Sequence, residues 1–216
     1  MKASRTILAL TAFAGVLALV ASEAVSQDAS AAGEKSASPA ERKMIMPTPE
    51  EMARAQKVAA PGEAHDTLKK LVGKWDVTMK VYMGEPGSTA MESAGESEFR
   101  LVMGGRFLLE ELKATLMGMP FEGLGITGYD NYQNLYVGSW IDNMNTHLLT
   151  MKGSRDFHTG KTLTMYGTMS EPMLRIADRM VKYVSKWKSD DAFTLEIYDL
   201  HVDESYKVLE VDYARQ

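Results

Sequence analysis

The stretch LVGKWDVTMKVYM, from Leu71 to Met83, decides the fold. Trp75, Val77, Met79, Val81 and Met83 fall on one face of an extended chain. Asp76, Thr78, Lys80 and Tyr82 fall on the other. This alternation is the period of a strand with one side buried. A Gly-Lys-Trp opens it, directly after a helix-like turn. A large aromatic at the first inward position predicts that the indole floors one end of a β-barrel.

The period of two recurs downstream. In GESEFRLVM, Phe99, Leu101 and Met103 oppose Glu98 and Arg100. Gly104-Gly105 reads as a two-residue hairpin turn, which type I′ geometry favours. The return strand is RFLLEELKATL. Further strands read as EGLGITGYD, LYVGSWID, THLLTMKG, TLTMYGTM, VKYVSKWK, AFTLEIYDL and YKVLEVDY. The turns between them are DNYQN, NMN, FHTGK, SDD and VDES. Only Pro172 to Met180 carries a helical pattern after Trp75. The expectation is an all-β, antiparallel up-and-down barrel of about ten strands, residues 73–216, preceded by short helices within 48–72. Closure removes the edge strands that invite aggregation.

The N-terminus reads as an export signal. Lys2 and Arg5 precede a run from Ile7 to Val20 that is apolar or small apart from Thr11 and Gly15. Ala24 and Ser26 supply small residues before a cut at Gln27. A run this short, followed by a small-residue site, reads as a signal peptide (1–26) rather than a membrane span, and places the protein in the periplasm or outside the cell. Residues 27–47 are rich in Ala, Ser, Glu and Pro and read as a disordered linker. Thr48, Pro49 and Glu51 then form a capping box for a weakly docked helix. A second helix, from about Glu63 to Val72, carries Leu68, Leu71 and Val72 on one face.

Composition excludes several classes. The chain has 216 residues, no Cys and a formal charge of -5. Without Cys there is no disulfide, thiol nucleophile or Cys-bound zinc. Without a basic stripe, nucleic acid is not a partner. No P-loop or Rossmann turn is present, and no GxSxG. Nothing in the residues specifies an oligomeric state.

The Gly-x-Trp of GKWDV, placed after a short helix, resembles the opening of lipocalin-type (calycin) barrels. More specifically, LKKLVGKWDVTMKV, LVMGGRFLLEEL, MGMPFEGLGITGYDN, YVGSWIDNM and VLEVDYAR together resemble the bacterial domain-of-unknown-function family DUF1579, over roughly Ala64 to Arg215. The resemblance implies a small β-barrel and transfers no catalytic residues.

The candidate site is therefore read from chemistry. On the third strand, Leu108, Leu112, Ala114 and Leu116 share parity with Glu110, while Phe107 and Leu109 share parity with Glu111. One glutamate must face inward, and the parity leaves open which. A buried carboxylate needs a partner or protonates. Arg100 and Arg106 stand nearby as possible counter-charges. The inward carboxylate reads equally as a structural ion pair or as a ligand-orienting group. Trp140, Tyr136 and Asp142 share one face of the fifth strand and offer an aromatic wall with polar tips.

His147 shares parity with Leu149 and Met151, and His201 with Phe193, Leu195 and Ile197. His65 and His158 read as solvated. No metal-ligand spacing appears. Ten-stranded barrels of the nitrobindin type, which this architecture resembles, hold haem through one His. No second haem signature accompanies these histidines, so no cofactor is assigned. Met44-x-Met46 and Met117-x-Met119 are thioether pairs of a kind that binds Cu(I), although methionine equally fills irregular cores. The MGMPF loop suits a barrel mouth. The whole reads as an exported barrel that binds a small apolar or amphipathic ligand without transforming it. Glu110, Glu111, Trp140, Tyr136, Asp142, Arg106 and His147 are the ligand-binding candidates. The alternatives are a hydrolase or isomerase using a buried glutamate, and a filled barrel acting as an interaction module.

Overall fold

The computed structural model describes residues 47–84, 87–171 and 175–216. The stretch read as a signal peptide, nearly all of the stretch read as a linker, and the Met44-x-Met46 pair lie outside the described residues.

Helix α1 (Pro49–Ala59) falls in a different unit from the barrel. Its capping box is formed: the Glu51 N–H donates to Thr48 Oγ1 at 3.2 Å, and the Thr48 N–H donates to Glu51 Oε2 at 2.7 Å. None of its residues is buried.

Residues 60–216 form the barrel unit. Helix α2 (Glu63–Lys69) precedes ten strands. They are β1 (Gly73–Val81), β2 (Met91–Val102), β3 (Phe107–Leu116), β4 (Met119–Asp130), β5 (Leu135–Asp142), β6 (Leu149–Arg155), β7 (Thr162–Glu171), β8 (Ile176–Ser189), β9 (Ala192–Asp199) and β10 (Lys207–Arg215). Each strand pairs antiparallel with its chain neighbours. β1 pairs with β10 from Trp75↔Arg215 to Val81↔Leu209, which closes the barrel. The up-and-down architecture expected from the alternation is the one observed.

Trp75 forms the floor. It has no exposed surface, and its Nε1–H donates to Leu71 O at 2.9 Å. Phe99 and Phe193 meet it edge-on at 6.3 and 5.1 Å between ring centroids, and Tyr213 stacks on Phe193 at 4.2 Å. Leu68 and Leu71 cover this cluster from the α2 side. Arg215 fastens the lid. Its guanidinium lies 4.2 Å from the Trp75 ring centroid and donates to the carbonyls of Val72 and Lys70, which the end of α2 leaves without helical partners.

Four local readings are corrected. Val102 pairs with Phe107, so Met103 to Arg106 form a four-residue loop rather than a two-residue Gly-Gly turn. Met103, Gly104 and Gly105 all have positive φ (51°, 67° and 84°), and this left-handed run turns the chain early and leaves Met103 73% exposed instead of in the core. Residues Ile176 to Met180 belong to strand β8, not to a helix, because pairing with β7 overrides the local helical pattern. His65 is buried, not solvated. Its Nδ1 accepts the Gly62 N–H at 3.0 Å, and its ring meets Tyr129 edge-on. His201 lies exposed in the β9–β10 turn rather than inside, since β9 ends at Asp199.

Candidate functional site

Register decides which glutamate faces the lumen. Glu110 stands opposite Phe99 on β2 and Gly125 on β4, on the inner face with Leu108 and Leu112. Glu111 points out and pairs with Arg100 at 3.0 Å, with both side chains about half exposed. Arg106 is exposed in the loop before β3 and donates to Met103 O at 3.2 Å. The structure thus separates Glu110 from both arginines that flank it in sequence.

Two hydroxyls take the place of a cation. Ser97 Oγ and Tyr213 Oη each donate to Glu110 Oε1 at 2.9 Å. Among the described residues, no hydrogen bond reaches Oε2. Burial pushes the Glu110 carboxyl up to about 7, against the opposing pull of the two donated bonds. Burial, and then the adjacent carboxylate, push the Tyr213 hydroxyl well above its usual range. The carboxyl is enclosed by protein yet keeps some accessible surface.

Trp140 stands beside this carboxyl on the inner face. Its Nε1–H donates to Asp142 Oδ2 at 3.0 Å, and Asp142 Oδ1 accepts from the Met144 N–H and from Asn145 Nδ2. The indole lies along β4, where Gly123 and Gly125 present no side chains. A Cβ at Gly123 would come within 2.1 Å of Trp140 Cζ2, and one at Gly125 within 3.0 Å of Trp140 Cε3. The same point over Gly125 lies 3.5 Å from Glu110 Oε2. The glycines therefore create the bed on which the ring rests, and they bring its edge beside the open carboxylate oxygen.

Inner residues differ in how tightly they are sealed. Val77, Met79 and Val181 are 1–3% exposed. Glu110, Ala114, Trp140, Leu149 and Met151 are only partly buried, although all face inward. Both kinds occur around the barrel: Leu108, Leu112, Phe121 and Tyr136 of β3 to β5 are 3–5% exposed, while Trp187, Leu195, Ile197 and Leu209 of β8 to β10 are only partly buried.

The remaining candidates sit apart from this row. Tyr136 is buried near the α2 end. Its Oη donates to Ala64 O at 3.4 Å, and its ring meets Tyr129 edge-on at 4.9 Å. His147 lies in the segment before β6, half-buried, with Nε2 3.2 Å from Thr168 O. Met117 and Met119 flank the β3–β4 turn, each 40% exposed. Among the described residues, no group of three or more His, Asp or Glu is arranged to hold a metal, and no helix is long and apolar enough to cross a membrane.

Sequence reading missed several residues. Ser97, Tyr213, Gly123 and Gly125 complete the Glu110–Trp140 row. The Gly-Leu-Gly of β4, with glycines at alternate positions, was the one available signal. At the opposite end from the floor, Arg179 and Asp199 form an ion pair in which both side chains are almost fully buried. Glu171 is buried on the neighbouring strand β7. Among the described residues, Arg179 Nε has no hydrogen-bond partner.

The crystal structure of Rv2717c from M. tuberculosis is 15% identical, with a TM-score of 0.51, covering 73% of this chain and 99% of that one. The likeness concerns the fold alone. A de novo designed fluorescence-activating β-barrel is 12% identical with a TM-score of 0.39, covering 70% of this chain and 98% of its own. No curated protein matches. Residues 60–215 match the description "Protein of unknown function (DUF1579)", and they span the whole barrel with α2. The chain belongs to the DUF1579 family.

Proposed function

We propose that this protein is an exported barrel that holds a small amphipathic ligand without transforming it. The observation that carries the reading is the inner row of Glu110 and Trp140. Among the described residues, no hydrogen bond reaches the second oxygen of this carboxyl, which stands beside a partly buried indole on the inner face of a closed barrel. Apolar burial supplies most of the affinity in such a site, and the few polar groups orient the ligand. Glu110 orients it here, since a buried polar group left unpaired is costly and a ligand that pairs it is favoured. Export rests on Lys2, Arg5, the run from Ile7 to Val20 and the small residues Ala24 and Ser26.

Native mass spectrometry of the protein purified from its own compartment tests the reading. The expected result is additional mass that is lost on denaturation. A clean apo mass overturns it and leaves a filled barrel.

A further inference from the structure

We propose that the Trp140 indole and Glu110 Oε2 form a subsite for a planar aromatic ligand that carries a hydroxyl or amino hydrogen-bond donor. The inference rests on the carrier reading and narrows its ligand class.

Planarity follows from the indole. One face lies on the backbone of β4, in contact at both Gly123 and Gly125. The Nε1–H bond to Asp142 pins the ring in its plane. The opposite face turns toward the barrel interior, and the ring keeps some accessible surface. A fixed flat surface of this kind favours another flat ring in offset stacking over a flexible chain.

The donor requirement follows from the hydrogen-bond inventory of the row. The Ser97 and Tyr213 hydroxyls are both spent on Glu110 Oε1. The Trp140 N–H is spent on Asp142. What is left is an acceptor, Oε2, and among the described residues no cation acts on this carboxyl to attract a second acid. A ligand carboxylate would meet like charge there. A phenol or aryl amine would donate to Oε2 while its ring covers the indole, because both contacts originate over the same glycine, Gly125.

Three probes separate the two requirements in the full chain by titration calorimetry at pH 8. They are 2-naphthol (flat, donor), 2-methoxynaphthalene (flat, no donor) and 1-octanol (donor, not flat). The expected result is 2-naphthol binding about ten-fold or more tighter than either of the others, the step that one satisfied buried hydrogen bond provides. In Glu110→Gln the carbonyl oxygen keeps the Ser97 and Tyr213 bonds and turns an NH2 toward the lumen. The preference for naphthol over its methyl ether should then vanish. Trp140→Leu should weaken both naphthalenes and spare 1-octanol. If 1-octanol binds while naphthol shows no advantage over its ether, the subsite is overturned and the carrier reading stands. If naphthol does not bind at all, the subsite is overturned whatever the mass spectrum shows. The carrier reading falls only with a clean apo mass.

Discussion

The Tyr213 hydroxyl donates to Glu110 Oε1 at 2.9 Å across a chord of the barrel. Tyr213 stands on β10 and Glu110 on β3, with β1 and β2 between them in the wall. The bond exists only because β1 closes onto β10. It holds a carboxyl whose ionisation burial has moved from its ordinary value of 4.5 to about 7.

That shift has a sign for stability. The folded state holds the Glu110 proton more tightly than the unfolded chain does. Stability from this group is therefore full below about pH 4.5 and is lost as pH rises through 7. The loss approaches about 3 kcal/mol for a fully desolvated group, and less if water enters the lumen. Glu110→Gln removes the titration. Urea midpoints of the variant should exceed those of the parent at pH 8, with the gap closing toward pH 5. Parallel curves across that range refute the assignment.

Trp75 is the largest fully buried side chain among the described residues, and it donates to Leu71 O in the segment between α2 and β1. Trp75→Ala should cost ~3–5 kcal/mol, from lost burial and the cavity left behind. Chemical denaturation measures it directly. An unchanged midpoint means that the floor is held by something other than this indole.

Two ion pairs should behave differently. Asp199→Ala leaves Arg179 buried and uncompensated, which should cost ~3–5 kcal/mol. Arg100→Ala opens the half-exposed pair with Glu111 on the outer wall and should change stability by about 1 kcal/mol or less. Comparable losses in the two variants would show that Asp199 is not holding a buried charge.

Gly123→Ala places a methyl where Trp140 Cζ2 now lies, 2.1 Å from the built Cβ. The indole must leave its bed, at a cost of about 1–3 kcal/mol. The near-ultraviolet circular dichroism of Trp140 should change. The Trp140→Phe background identifies its share, and the substitution should lose its spectral effect there.

Processing offers a test apart from the barrel. Edman sequencing of the exported protein should begin within a few residues of Gln27. An intact Met1 in the exported fraction contradicts the signal-peptide reading.

The sequence by itself determined the class of fold. Alternation is a local property: adjacent side chains of a strand point to opposite faces, so Trp75, Val77, Met79 and Val81 announce a half-buried strand without reference to any partner. The turns DNYQN, FHTGK and VDES are equally local, since Asp130, Asp156 and Asp203 accept bonds from residues two or three positions ahead. Glu110 and Glu111 show where locality stops. Leucines occupy both parities of β3, so apolar pattern could not choose between them, and only pairing with β2 and β4 did. The site is further still from the local signal. Ser97, Glu110, Gly125, Trp140 and Tyr213 come from five different strands. Their meeting depends on register and closure, which arise from the summed pairing of all ten strands and leave no mark at any one residue.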